Sequence, residues 1–179
     1  VPAKRGRRLV VDASVAGAAG GTTATAPDSA RCRDFLLTMR DETDCRAVMS
    51  DKLKEEWMAH RSRLARTWLV DMVSRRRVIF ANVPPSEKMR HKIEDAAVTK
   101  KKDADNLLKD YHLVEAATAH DKTVVSLDET VRGLFKAAAQ RVEAIRKIVW
   151  VNPVKPVEDA VGWLRGGAKA EAVRMLGRE

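Results

Sequence analysis

Leu9-Val10-Val11-Asp12-Ala13-Ser14 is a short apolar run that stops on a carboxylate. A buried strand ending on Asp places that charge at the carboxyl edge of a sheet, where open α/β folds bind their ligands. Thr123-Val124-Val125-Ser126-Leu127-Asp128 repeats the pattern more than a hundred residues later. Two such strands side by side in one parallel sheet would present Asp12 and Asp128 to a shared divalent cation. Leu9 and Val11 face one side of the first strand, Val10 and Asp12 the other.

Between the two runs, strand-like and helix-like segments alternate. A helix is expected from Asp28 or Ser29 to about Arg40, with Phe35, Leu36 and Met39 on its apolar face. Arg46 to Ser50 reads as a second strand. One long helix then runs from Ser50 or Asp51 to Arg75-Arg76-Arg77, on Leu53, Trp57, Leu64, Trp68 and Met72 at steps of four and seven. Val78 to Val83 is strand-like and Pro84-Pro85 stops it. A helix follows from Ser86 on Met89, Ile93, Ala96 and Ala97. A charged break at 99–105 precedes a helical stretch at 107–117. After the strand at 123–128, a helix carries Val131, Leu134, Phe135, Ala138, Val142 and Ile145. A last strand covers 147–152. Strands alternating with helices predict an α/β fold, a mostly parallel sheet with helices on both faces. The division is a basic N-terminal arm at 1–8, a central domain at 9–152 and a helical extension at 153–179.

The 179 residues are 45% apolar and 33% charged, enough for a real core. No apolar run reaches the roughly 18–20 residues of a membrane span, and the N-terminal apolar stretch is too short for a signal peptide. Cys32 and Cys45 lack CxxC spacing and are expected as free thiols of a reducing, cytoplasmic setting. The net charge of +9 points to a polyanionic partner or to a solvated basic face. Eight aromatic residues are too scattered for a base-stacking platform. The glycine-rich stretch at 17–27 lacks the Gly-Lys-Ser/Thr of a P-loop and reads as a flexible loop.

Helical geometry sorts the remaining acids. Glu56 lies about 60° from Leu53 and about 100° from Trp57, on the edge of the buried face, whereas Glu55 points outward. Asp110 precedes Leu113, Val114, Ala116 and Ala117 and is expected near a helix start. Asp103 and Asp105 have polar neighbours and read as a solvated turn. Glu129 reads as a helix N-terminal charge. Singly, each acid reads equally well as a cap or a surface charge.

Their order resembles the PIN domain, the PilT N-terminal-type nuclease fold, over about residues 9–152. The resemblance rests on Val-Val-Asp-Ala-Ser, Ser50 with Glu56 six residues on, the segment Lys109 to Ala117, and Val-Val-Ser-Leu-Asp. It implies a three-layer α/β/α sandwich on a short, mostly parallel sheet, and four acids, Asp12, Glu56, Asp110 and Asp128, around Mg²⁺ or Mn²⁺, with Ser14 and Ser126 as supporting hydroxyls. It also implies metal-dependent hydrolysis of phosphodiester bonds, RNA favoured over DNA. The pattern departs at the third acid, where Asp110 and His112 compete. A PIN-like module that binds nucleic acid or protein without cutting is the alternative. Arg7 and Arg8 of the arm (with Arg5) and Lys100, Lys101 and Lys102 are the expected phosphate contacts. A homodimer and a protein inhibitor stay open as partners.

Overall fold

The computed structural model describes residues 6–97 and 101–178. Lys4, Arg5 and Lys100 lie outside the described residues. Five strands, β1 (Arg8–Val11), β2 (Arg46–Ser50), β3 (Val78–Ala81), β4 (Thr123–Val125) and β5 (Val149–Val151), form one parallel sheet in the order β3-β2-β1-β4-β5. The central strands are buried on both faces, with Leu9, Val10, Val48, Val124 and Val125 at or near zero exposure. Near-continuous Val and Leu runs are what such doubly covered strands require.

The helices are α1 (Ala13–Ala18), α2 (Pro27–Asp41), α3 (Asp51–His60), α4 (Arg63–Ser74), α5 (Glu87–Ala97), α6 (Lys101–Thr118), α7 (Glu129–Ala139), α8 (Glu143–Arg146) and α9 (Ala160–Arg165). The strand order runs outward from β1 to β3, then returns past β1 to β4 and β5. Right-handed crossovers therefore put α1 to α4 on one face and α5 to α8 on the other. The packing agrees: α1, α2, α3 and α4 pack among themselves, as do α5, α6, α7 and α8. The result is the α/β/α sandwich expected from the sequence.

Several boundaries differ from the sequence reading. The glycine-rich stretch at 17–27 is not all loop: Gly17 and Ala18 end a short helix, Ala13 to Ala18, held by buried Ala13, Val15 and Ala16. Its partner α2 starts on Pro27, with Ala26 rather than Asp28 or Ser29 at the cap. The single long helix is two. The Ser62 hydroxyl accepts from Ala65 N and its backbone N donates to Ala16 O, so α4 restarts there. Arg77 does not merely face a helix end. Its guanidinium donates to the carbonyls of Met39, Arg40 and Cys45, clipping the end of α2 to the start of β2. Residues 101–105 belong to α6, so Asp110 sits in mid-helix rather than near its start.

Cys32 and Cys45 are buried free thiols, and burial pushes the Cys32 thiol up to about 12. Residues 153–179 pack on the same core as far as they are described. α9 lies on α2, and Leu176 N donates to Ile148 O beside β5. Among the described residues no helix is long and apolar enough to cross a membrane.

Trp57 ties this core to the sheet edge that matters below. Its indole N–H donates to Val11 O at 2.8 Å, and its ring stacks on Trp68 with centroids 5.6 Å apart. Trp57→Phe keeps most of the apolar contact but strips a buried carbonyl of its donor. It is expected to cost about 1–3 kcal/mol, read as a lower urea midpoint at unchanged m-value. An unchanged midpoint would show the bond to be dispensable.

Candidate active site

The strand order reverses between β1 and β4, and there the carboxyl ends of neighbouring strands open a crevice. Asp12 immediately follows β1, is 9% exposed, and takes extended backbone as the residue before α1. Its Oδ2 accepts from two hydroxyls, Ser14 Oγ at 2.5 Å and Ser126 Oγ at 2.7 Å. Leu127 N donates to Ser14 Oγ and Asp128 N to Ser126 Oγ. These bonds stitch the β1–α1 turn to the β4–α7 turn. They fix the Asp12 carboxylate by one oxygen, and among the described residues Oδ1 has no protein donor.

Asp128 lies three residues past the end of β4 and caps α7, its Oδ1 accepting from Val131 N at 2.8 Å. Glu56 comes from the middle of α3, on the half-buried flank that its helical angle predicts, while Glu55 is exposed. Asp110 projects from α6, packed on the opposite face of the sheet. All four line one cavity of about 420 Å³, together with Ala13, Ser14, Gly17, Ala18, His60 and Lys109. Burial raises the Asp110 carboxyl to about 6, helped by the negative charges of Asp12, Asp128 and Glu56 and opposed by Lys109. Like charges crowded in a half-apolar setting favour the proton on one of them.

Of the two candidates for the third place, Asp110 lines the cavity and His112 does not. The imidazole instead stands behind Glu56, with Nε2 3.0 Å from Glu56 Oε2. Lys52 Nζ approaches the other oxygen, Oε1, at 3.6 Å from a largely exposed position.

The basic candidates divide. Lys102 lines a trough of about 470 Å³ with Asp103, Asn106 and Thr130, and this trough shares Lys109, Asp110 and Asp128 with the acidic cavity. Lys101 is exposed at the start of α6. Arg7 and Arg8 lie at the amino end of β1, the opposite edge of the sheet from Asp12. There Arg7 donates to Asp121 O and Thr123 Oγ1, and Arg8 pairs with Asp121 at 2.6 Å. The structure does not bring them to the acids. Glu129 opens α7 and bonds Lys155, Asn152 and Arg132, which hold its carboxyl below the usual range against burial. Two polar cavity residues have no role in the sequence reading, His60 and Lys109. Both carry a signal: His60 is four residues from Glu56 on one helix face, and Lys109 adjoins Asp110.

Among the described residues, no three Asp, Glu, His or Cys side chains stand close enough to hold an ion as they are. The carboxylates ring a space instead of meeting at a point. The donor chemistry still fits one class of ion. An all-oxygen, anionic set suits a hard dication, and Mg²⁺ keeps several of its waters while a few carboxylates hold it directly or through them. Comparison with family models, curated proteins and solved structures finds no match.

Proposed function

We propose that this chain is a metal-dependent nuclease that hydrolyses phosphodiester bonds, RNA favoured over DNA, as the PIN-like order of its acids implies. The observation that carries the reading is the convergence of Asp12, Glu56, Asp110 and Asp128, from four separate segments, on one cavity at the switch point of the sheet.

Asp12 and Asp128 would hold Mg²⁺ or Mn²⁺ directly, each having one oxygen committed to the protein and, among the described residues, one without a protein donor. Asp110 and Glu56 complete the set, directly or through water. A dication bound there supplies charge neutralisation at the phosphate and a more acidic water. The protein's own groups do the rest. Ser14 and Ser126 keep Asp12 from turning away. Asp110, whose carboxyl sits near 6, and Glu56 are the acids placed to take a proton from an attacking water. Ala13, Gly17 and Ala18 make the wall beside them apolar. An acidic pocket repels a polyanion, and Lys109 at its rim, with Lys102 two turns earlier on α6, offsets that repulsion.

The second reading, binding without cleavage, draws on the spread of the carboxylates, none of which forms a ready ligand cluster. One experiment separates the two. End-labelled single-stranded RNA is incubated with the protein in Mn²⁺ and in EDTA, and binding is followed at rising salt. Cleavage in Mn²⁺ alone is expected, with log K falling at about 0.7 per phosphate contact. Salt-sensitive binding with no cleavage in Mn²⁺ would replace the nuclease by the binding module.

A further inference from the structure

The geometry points to His112 as a positioning residue that fixes Glu56 in the cavity without entering it. This rests on the metal-site reading of the four acids and adds to it. His112 Nδ1 lies 3.1 Å from Lys109 O, one turn back on α6. The ring is thereby held against its own helix. Nε2 then faces α3 and sits 3.0 Å from Glu56 Oε2, with the two side chains 12% and 17% exposed. The approach is oblique, and Nε2 is a buried nitrogen with no hydrogen bond among the described residues. An N–H on Nε2 is what the Glu56 carboxylate, 3.0 Å away, would accept.

His112 is therefore the buried link between Glu56 on α3 and the helix that carries Asp110. Helices from opposite faces of the sheet meet here, and the carboxylates they carry must hold their spacing if they are to share an ion. Lys52 does not replace the link, because it is mostly exposed and its Nζ reaches only Oε1, at 3.6 Å. Partners one step removed from a metal commonly change its affinity by about 10- to 100-fold.

The test is Mn²⁺ affinity, read from the free-ion electron paramagnetic resonance signal during titration. Three variants separate the two nitrogens. His112→Ala loses both contacts, and His112→Asn keeps a donor only where Nδ1 stands. His112→Gln places an amide N–H where Nε2 stands. His112→Ala and His112→Asn are expected to weaken Mn²⁺ binding by about 10- to 100-fold, and His112→Gln to stay within about 3-fold of wild type. Adding His112→Ala to Glu56→Gln is expected to cause no further loss, since the effect runs through Glu56. Wild-type affinity in His112→Ala or in His112→Asn overturns the assignment, as does a further loss in the double variant. A drop in melting temperature that ranks the three variants as their Mn²⁺ affinities do would mark a merely structural role and also overturn it. Failure of the wild type to bind Mn²⁺ overturns this proposal and the nuclease reading together. Mn²⁺ binding with cleavage but no dependence on His112 overturns this one alone.

Discussion

Asp12→Asn is expected to reduce Mn²⁺-dependent RNA cleavage by roughly 10²- to 10⁴-fold, the range for removing a group that acts directly in the chemical step. The substitution is chosen because the fold should not register it. The amide oxygen of Asn can accept from Ser14 Oγ and Ser126 Oγ as Asp12 Oδ2 does, so the stitch between the two turns survives. What changes is the other atom. A neutral NH₂ replaces the oxygen left for a cation, and the cavity loses one negative charge. That second change has a readout independent of activity. After burial, Asp12 is the largest cause raising the Asp110 carboxyl, so Asp110 in metal-free Asp12→Asn should titrate below about 6. Carboxyl-carbon NMR reads this directly. Cleavage at the wild-type rate with an unchanged melting temperature would remove Asp12 from the mechanism. An unmoved Asp110 would mean that the two acids do not share one field.

Much of this site follows from strand direction alone. A parallel strand that ends on Asp12 must begin, at about 3.3 Å per residue, some four residues back, so Arg8 belongs at the far edge. The structure pairs it there with Asp121. Assigning the arm to the substrate treats closeness in sequence as closeness in space, and a strand separates its two ends. Glu56 was legible for the converse reason: a helix preserves angle, and its 60° offset from Leu53 survived folding. The break at Ser62 left no such trace. Leu53, Trp57, Leu64, Trp68 and Met72 keep their phase across it, so periodicity reads α3 and α4 as one helix. Only the Ser62 hydroxyl, bonded to Ala65 N, marks the restart. The helix α1 was hidden by composition. Ala, Ser and Gly look like loop, yet Val15 and Ala16 are fully buried and packing outweighs weak propensity over six residues. Lys101 and Lys102 looked like a charged break, but lysine is a good helix former and α6 runs through them.

The same α6 carries one contribution to the pH dependence of stability. Asp110 is held near 6, above the 3.8 of a free aspartate, so the native state binds its proton more tightly than the unfolded chain does. Its contribution to stability is full below about pH 3.8, fades as pH rises towards 6, and is gone above that. At full burial the difference would be worth about 3 kcal/mol. For a half-buried group screened by solvent it is on the order of 1–2 kcal/mol. Asp110→Asn carries the neutral form permanently. Metal-free Asp110→Asn should therefore melt above wild type at pH 7.5 by about 2–8 °C, and the gap should close near pH 4. Divalent ions should act in the opposite sense, because they take the ionised carboxylate. Mg²⁺ or Mn²⁺ should raise the melting temperature of wild type at pH 7.5, do little at pH 4.5, and do little for Asp110→Asn at either. A variant that melts below wild type at pH 7.5 would show that Asp110 is satisfied by the fold instead of crowded by it. An equal metal shift at both pH values would place the ion elsewhere. Destabilisation of the empty site at neutral pH, relieved on loading, is the stability signature expected of carboxylates gathered for a cation.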